Sequence, residues 1–193
     1  MKKMEIACLG LILLGLFFKL MHWPYNGEIM TLGAVLLSML YFNFSFAFLN
    51  QIKFRNILKQ ESYKGISKLR INGAIATGFV FSFITIYSLF KLMLWSYAQI
   101  GLEISIKLFA ILVVVLLGFH FVKNRSFFLK MNYIRFISIG IIGTTLCFVT
   151  NDQLIDLYYG SDPEYAEAYK AYIKDPSPDA KYPTRAFNSK DEK

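Results

Sequence analysis

Cysteine and histidine are scarce in this sequence, with two of each among 193 residues. Cys8 and Cys147 lie in apolar runs far apart in the chain, where single thiols act as packing residues, so the sequence predicts no disulfide framework. His22 and His120 fall at opposite sides of the helical arrangement predicted below and therefore do not form a metal site. We expect neither a metal nor any other cofactor.

Sequence signatures of catalysis are also missing. The chain has no Gly-x-Ser-x-Gly nucleophile motif, no His-Glu-x-x-His zinc motif and no glycine-rich phosphate loop. Serine and threonine residues inside the apolar runs, such as Ser82 and Thr144, are explained by helix packing and by bonds to the backbone of their own helix. The sequence therefore predicts a protein that is not an enzyme.

Apolar residues are abundant, at 55% of the chain, with 19 phenylalanines. Nearly all of this excess lies in residues 1–150, whereas residues 151–193 have the composition of an ordinary polar segment. The net charge of +8 does not indicate a nucleic-acid protein, because most basic residues lie between apolar runs. The simplest partition is a membrane domain, 1–150, followed by a polar tail, 151–193.

Five windows approach the roughly 20 apolar residues that cross a bilayer core. We therefore predict an all-α integral membrane protein with five transmembrane helices and a short extramembrane tail. The first window starts with charged residues like a signal peptide, but it has no small-x-small cleavage site, so we interpret it as a retained helix. The predicted spans are 5–23, 28–49, 72–95, 103–122 and 133–150.

Lysine and arginine alternate from one side of the predicted bundle to the other. Two precede the first span, six lie in residues 53–70 and four in residues 123–135, whereas the other two turns contain none. The positive-inside rule then places the N-terminus and both basic loops in the cytoplasm. Five spans put the tail, with six basic and nine acidic residues, in the periplasm.

The chain contains an internal repeat. Residues 18–25 match residues 90–97 at six of eight positions, at an offset of 72. The segments 5–49 and 72–122 are therefore interpreted as two copies of one helical hairpin, both running in the same direction. The fifth helix, 133–150, has no counterpart.

The repeat predicts ionisable side chains at similar membrane depth. Lys19 and Lys91 fall near the outer ends of spans 1 and 3, and Glu28 and Glu103 open spans 2 and 4 if the second turn has three extra residues. Two hypotheses stay open. The charges fix the hairpins while the lysines snorkel outward, or they line a polar site for protons, ions or a partner helix. This candidate intramembrane polar cluster comprises Lys19, His22, Glu28, Lys91, Glu103 and Lys107.

Two members of this cluster allow more specific expectations. Glu103 and Lys107 have the i,i+4 spacing of a helical ion pair. His22, three residues after Lys19 and beside Trp23, is either an interfacial residue or a pH-sensitive group.

Residues 15–24, followed by Gly27 and an apolar helix, contain the run Phe-Lys-x-x-His-Trp-Pro. This run resembles the first hairpin of the gliding-motility L protein (GldL), the inner-membrane motor subunit of the type IX secretion system of Bacteroidota. The resemblance covers about residues 10–45 and, more weakly, 80–120, and it implies a location in the bacterial inner membrane. The glutamate of the family's motor is not matched, because residues 36–40 contain no acid.

The tail contains one predicted helix, about 162–174. Ser161, Pro163 and Glu164 have the pattern of a capped helix start. The tyrosines of this helix recur at i, i+4 and i+7 and so share one face. That face either docks a periplasmic partner or rests on the membrane surface or the outer loops. Its residues are Tyr165, Tyr169 and Tyr172.

These features predict a non-enzymatic subunit or scaffold of the bacterial inner membrane, associated with an envelope complex of the secretion or gliding type. Its expected partners are the lipid bilayer, copies of itself or other inner-membrane proteins, and not nucleic acid. The alternative is a small transporter or proton-conducting protein built around the ionisable cluster.

Overall fold

The computed structural model describes residues 2–123 and 130–174, and within them the side chains of 2–119 and 132–174. This part of the chain is all-helical and contains no strand. Most of the second basic loop and the end of the tail, residues 175–193, lie outside the described residues. The helices are α1 (Lys2–Leu20), α2 (Asn26–Phe48), α3 (Lys68–Leu92), α4 (Ala98–Lys123), α5 (Lys130–Phe148), α6 (Asn151–Tyr159) and α7 (Pro163–Lys174).

Each apolar window corresponds to one helix of α1–α5, but the ends differ by up to five residues. Helix α3 begins at Lys68, four residues before the window, because the Ser67 hydroxyl accepts a hydrogen bond from the Arg70 N–H and so caps a polar first turn. Helix α3 therefore includes polar residues that lie outside the apolar window from which it was predicted. The basic loop before α3 contains two 3₁₀ turns, Phe54–Asn56 and Gln60–Tyr63.

Three helices of the described chain are long and apolar enough to cross a membrane, namely Asn26–Phe48, Lys68–Leu92 and the Ala98–Phe119 part of α4. A fourth span is obtained only if α5 and α6 are counted together. Helix α1 has 19 residues, but its charged side chains include Glu5 near one end and Lys19 near the other. The chain is therefore compatible with a multi-pass membrane protein, and length and composition alone do not give the five spans expected.

The turn between α1 and α2 is a glycine-free helix C-cap. His22 takes a left-handed φ of 56°, which lets the Trp23 N–H donate back to the Phe18 carbonyl at 2.9 Å. The Trp23 and Phe18 rings also touch, with centroids 5.0 Å apart. This is the Schellman arrangement, in which the six-residue hydrogen bond is accompanied by an apolar contact between the same two residues. The spacing of Phe and Trp in the repeated motif therefore has a structural reason.

The turn between α3 and α4 has the same geometry 72 residues later. Leu94 has a φ of 58°, and the Trp95 N–H donates to the Phe90 carbonyl at 2.9 Å. The two rings are 4.9 Å apart. A second residue with a left-handed φ follows in each turn before the next helix begins. It is a tyrosine in both, Tyr25 or Tyr97.

Helices α2 and α4 begin at Asn26 and Ala98, again 72 residues apart. The second turn therefore has no extra residues, so the condition on which Glu28 and Glu103 would be equivalent is not met. Glu28 does lie in the first turn of α2, but the first turn of α4 contains no acid. Glu103 lies one turn further along α4, so the two glutamates do not occupy equivalent positions in the two hairpins.

Helices α1 to α4 pack in chain order, each against the next, and α5 contacts α3 and α4. Phe81 of α3 is fully buried at the centre of the bundle, where its ring lies 5.5 Å from Tyr41 of α2 and 4.9 Å from Phe136 of α5. Helices α2 and α3 cross at Gly78, where a Cβ atom would collide with the Ser45 side chain and the Tyr41 carbonyl. Glycine is therefore needed at this crossing.

The chain divides into two compact units, Met1–Phe148 and Val149–Lys193. The second unit contains α6, which the sequence analysis did not predict, and α7. Helix α6 starts with a capping box in which Thr150 and Gln153 exchange hydrogen bonds. The cap of α7 comes from Asp162, whose carboxylate accepts from the Tyr165 N–H at 3.2 Å, rather than from Ser161 as expected.

Candidate functional site

Glu5 of α1 and Arg135 of α5 form a buried ion pair. Arg135 Nε donates to Glu5 Oε1 and Nη2 donates to Oε2, both at 2.8 Å. The two residues are only 6% and 9% exposed. Two parallel charge-assisted hydrogen bonds fix a guanidinium on a carboxylate in both distance and orientation. The pair thus joins the first and fifth helices of the bundle.

Two polar side chains complete what we name the acid–arginine cluster, consisting of Glu5, Tyr41, Asn132 and Arg135. The Tyr41 hydroxyl donates to Glu5 Oε1 at 3.0 Å. Arg135 Nη1 donates to the Asn132 side-chain oxygen at 3.2 Å. Because each charged group has several partners inside the bundle, burial does not leave it uncompensated.

The end of α2 closes this cluster. Asn132 Nδ2 donates to the Leu49 carbonyl at 2.8 Å, which satisfies a backbone acceptor at the helix terminus. The Arg135 guanidinium lies 4.4 Å from the centroid of the Phe48 ring, a cation–π distance. The cluster therefore ties α1, α2 and α5 together.

Sequence reasoning missed the acid–arginine cluster. It placed Arg135 at the edge of a basic loop and treated Glu5 as the start of a span. The available signal was one acid and one arginine, each inside a helix that is otherwise apolar, at the same predicted side of the bundle. Pairing across 130 residues could not be read from spacing alone.

Lys91 is buried, with 1% of its surface exposed, and its Nζ donates to Gln99 Oε1 at 2.7 Å. Gln99 Nε2 in turn donates to Glu103 Oε1 at 2.8 Å and to the Cys147 carbonyl at 3.1 Å. We name Lys91, Gln99 and Glu103 the lysine–glutamine chain. Gln99 was not among the sequence candidates, although it lies one helical turn before Glu103.

Lys19, the equivalent of Lys91 in the first hairpin, is also buried, at 8% exposure. Its Nζ donates to the Leu92 carbonyl at 2.6 Å. Leu92 is the last residue of α3, where the free carbonyl groups and the helix dipole favour a cation. Both lysines are therefore bonded inside the bundle and do not extend outward as the snorkelling hypothesis expected.

The other members of the predicted cluster lie at the surface. His22, Glu28 and Lys107 are exposed. Lys107 and Glu103, both within the described residues, do not form the expected i,i+4 ion pair, and the Glu103 carboxylate accepts from Gln99. The structure thus connects Lys91 with Glu103, but it does not gather all six residues in one place.

An open groove of about 580 Å³ lies between α2 and the turn that joins α3 to α4. Glu28 is its charged residue, and the remaining lining is mostly apolar. The lining residues are Gly27, Glu28, Thr31, Leu32, Val35, Met93 and Trp95.

The tyrosine face of α7 packs within its own unit. Tyr165 and Tyr169 lie 4.9 Å and 5.6 Å from the Tyr159 ring of α6, measured between centroids. Tyr169 is buried, whereas Tyr165 and Tyr172 are half-buried. Most of this face is thus covered by a helix that the sequence analysis had not predicted, and its role in docking stays a prediction.

Lys170 links the same two helices by charge. Its ammonium forms ion pairs with Asp156 of α6 at 2.6 Å and with Glu167 of α7 at 2.8 Å. The hydrogen bond to Asp156, followed by that to Glu167, raises the pKa of Lys170 above its ordinary value.

Among the residues that the structure describes, no three histidine, cysteine or acidic side chains come together as metal ligands. Compared with models of protein families, with curated proteins and with solved structures, the chain matches none of them. The function must therefore be argued from the two buried polar assemblies and the membrane-type helices themselves.

Proposed function

We propose that this chain is a non-enzymatic subunit of a bacterial inner-membrane assembly, formed with copies of itself or with other inner-membrane proteins. The observation that carries the proposal is the acid–arginine cluster, in which Glu5 and Arg135 hold the first and fifth helices in one fixed arrangement. A bundle locked at this position suits a rigid building unit better than a carrier that opens alternately to each side. The resemblance of the first hairpin to GldL points to an envelope complex of the secretion or gliding type.

The proposal includes five membrane-embedded helices. Three of them are apolar enough to be spans by themselves. Helices α1 and α5 contain more charged residues, but two of these, Glu5 and Arg135, neutralise each other in an ion pair. An ion pair reduces the cost of placing each charge in a low-dielectric surrounding. With the positive-inside rule, the N-terminus is cytoplasmic and the tail periplasmic.

The same proposal treats the two hairpins as copies of one unit. Support comes from the shared turn geometry and from the helix crossings. Gly15 of α1 lies against Met30 of α2, and Gly101 of α4 lies against Tyr87 of α3. Tyr87 follows Gly15 by 72 residues, which is the offset of the repeat. The two helices of each hairpin therefore approach each other at a similar level, and the glycine is on the first helix in one hairpin and on the second helix in the other.

Helix α4 offers the largest face for a partner among the three spans. Only 28% of its membrane-crossing part is buried within the chain, against 44% for α2 and 50% for α3. Among the side chains of α4 that the structure describes, 98–119, Val114 is the most exposed large apolar one, at 69%. We expect this face to contact a second subunit.

Native mass spectrometry from lipid nanodiscs and from two mild detergents tests the assembly. We expect a defined oligomer or a stable complex with another membrane protein. In a chain with Cys8 and Cys147 replaced by alanine, V114C is expected to form a disulfide-linked dimer in native membranes if the partner is a copy. M39C, exposed on α2, is the matched control. A monomer without any bound protein in all three preparations contradicts the proposal.

A second candidate function is proton or ion conduction, which the lysine–glutamine chain favours. In it a fully buried ammonium is connected through one amide to a half-exposed carboxylate. Such connected ionisable groups within a membrane helix bundle are typical of proton relays.

Flux measurements in liposomes separate the two functions. E103Q removes the charge of the terminal carboxylate, whereas K107Q removes an exposed charge one turn away and serves as the control. Conduction predicts proton flux in the parent protein, a large loss in E103Q and little change in K107Q. Absence of flux in the parent contradicts the second candidate and leaves the assembly proposal in place.

A further inference from the structure

The groove beside Glu28 has a volume of about 580 Å³, within the range of small-molecule sites. Glu28, Thr31, Leu32 and Val35 follow one another at helical spacing on one face of α2, over about 10 Å of helix. Met93 and the Trp95 ring form the opposite wall. Gly27 keeps the end of the groove open, since a Cβ atom there would lie 3.0 Å from the Met93 methyl carbon.

The polarity of the groove changes along its length. Glu28 lies in the first turn of α2 and Trp95 in the turn after α3, so both stand where two apolar helices end. Tryptophan at that position is typical of the membrane interface. Leu32 and Val35 lie further along α2, toward the middle of the span. A polar headgroup fits one end of this groove and an acyl chain the other.

The charge at the headgroup end is negative. Glu28 is exposed and makes no hydrogen bond or ion pair within the described chain. The Lys19 ammonium donates to the Leu92 carbonyl at 2.6 Å and to the Met93 sulfur at 3.9 Å, and Lys19 is not a lining residue of the groove. A carboxylate beside an indole ring attracts an ammonium group and disfavours an anion.

We propose that this groove binds a phospholipid with a primary ammonium headgroup, of the phosphatidylethanolamine type. The ammonium contacts Glu28 and the face of the Trp95 ring. The part of the acyl chain nearest the headgroup lies along Leu32, Val35 and Met93. The proposal rests on the membrane location of α2 but not on the oligomeric state.

Fluorescence quenching by brominated lipids tests this site. W23F leaves Trp95 as the single tryptophan. The protein is placed in equimolar phosphatidylethanolamine and phosphatidylglycerol vesicles, in which either one lipid or the other has brominated acyl chains. Bulk composition is then the same in both samples. We expect phosphatidylethanolamine to be enriched roughly two- to fivefold over phosphatidylglycerol around Trp95. This is the preference that the free energy of an exposed carboxylate–ammonium contact provides.

Two variants make the result specific. E28Q in the W23F background is expected to remove the enrichment, because the amide keeps the size of the side chain without its charge. W95F leaves Trp23, which occupies the equivalent place in the first turn but does not line the groove, and it is expected to show no preference. Circular dichroism checks that each variant keeps its helices.

Equal quenching of Trp95 by both brominated lipids would overturn the proposal. So would an enrichment that persists in E28Q, or one that Trp23 shows equally. None of these results depends on whether the protein assembles, so failure of the lipid site and failure of the proposed function are distinguishable.

Discussion

Removing both partners of the Glu5–Arg135 pair should destabilise the bundle by much less than the sum of the two single removals. E5L leaves a buried guanidinium without its carboxylate, and R135L leaves a buried carboxylate without its guanidinium. Each group is less than one-tenth exposed, and each loses two hydrogen bonds of 2.8 Å. Breaking such a buried pair from one side costs about 3–5 kcal/mol.

The double variant E5L/R135L removes both charges together. Its remaining losses are the acceptor of the Tyr41 hydroxyl and the donor to the Asn132 oxygen, each worth about 1–3 kcal/mol. The two single losses would add to roughly 6–10 kcal/mol if they were independent. The double variant keeps only the remaining losses, roughly 2–6 kcal/mol together, so we expect a coupling energy of about 4 kcal/mol between the two positions.

Unfolding by sodium dodecyl sulfate in mixed micelles, followed by circular dichroism, measures the free energy of unfolding of each variant. The control cycle pairs R135L with E103L, because the Glu103 carboxylate binds Gln99 instead. We expect this control to be additive within about 0.5 kcal/mol. Additivity in the Glu5–Arg135 cycle as well would refute the inference that the pair locks α1 to α5.

Two further predictions concern a helix crossing and the second compact unit, which contains α6 and α7. G78A should destabilise the bundle by about 1–3 kcal/mol in the same unfolding assay, because the added Cβ forces α2 and α3 apart. G118A is the control: a Cβ at Gly118 meets nothing within 4 Å, so this variant should be neutral or slightly stabilising. Equal effects of the two substitutions would contradict the close crossing. The Lys170 pKa is raised in the folded state, so its ion pairs stabilise the α6–α7 contact below the ordinary lysine pKa of 10.5 and this contribution is lost as the pH rises through the raised value. NMR titration of the Lys170 ¹³Cε signal should therefore give a midpoint above 10.5, D156N should lower it, and a midpoint at or below 10.5 in the parent would contradict the ion pairs.

The helical class of the fold and the approximate place of α1–α5 could be predicted from the sequence, because long apolar runs directly reflect burial in lipid or in a bundle. Helix ends were less predictable. The usual signal for a left-handed C-cap is glycine, but His22, Leu94 and Gln51 take that conformation here. In the turns at His22 and Leu94, the contact of a phenylalanine with the tryptophan five residues later stabilises a backbone conformation that the residue at the left-handed position does not itself favour.

The candidate site was predictable only in part. Lys19 and Lys91 were recognised through the repeat, but their partners were not, because a backbone carbonyl and the side-chain amide of Gln99 leave no charge pattern to read. Helix α6 was missed although Thr150 and Gln153 have capping-box spacing. Its nine residues are too few and too polar for the apolar pattern used to find the other helices.

The pairing of Glu5 with Arg135 also has a consequence for biosynthesis. Glu5 leaves the ribosome before Arg135, which follows 130 residues later. At about 5–20 residues per second the carboxylate waits roughly 7–26 s for the guanidinium. During that interval α1 has no counter-charge on α5, so the first helix reaches its final position only when the last helix of the bundle has been made.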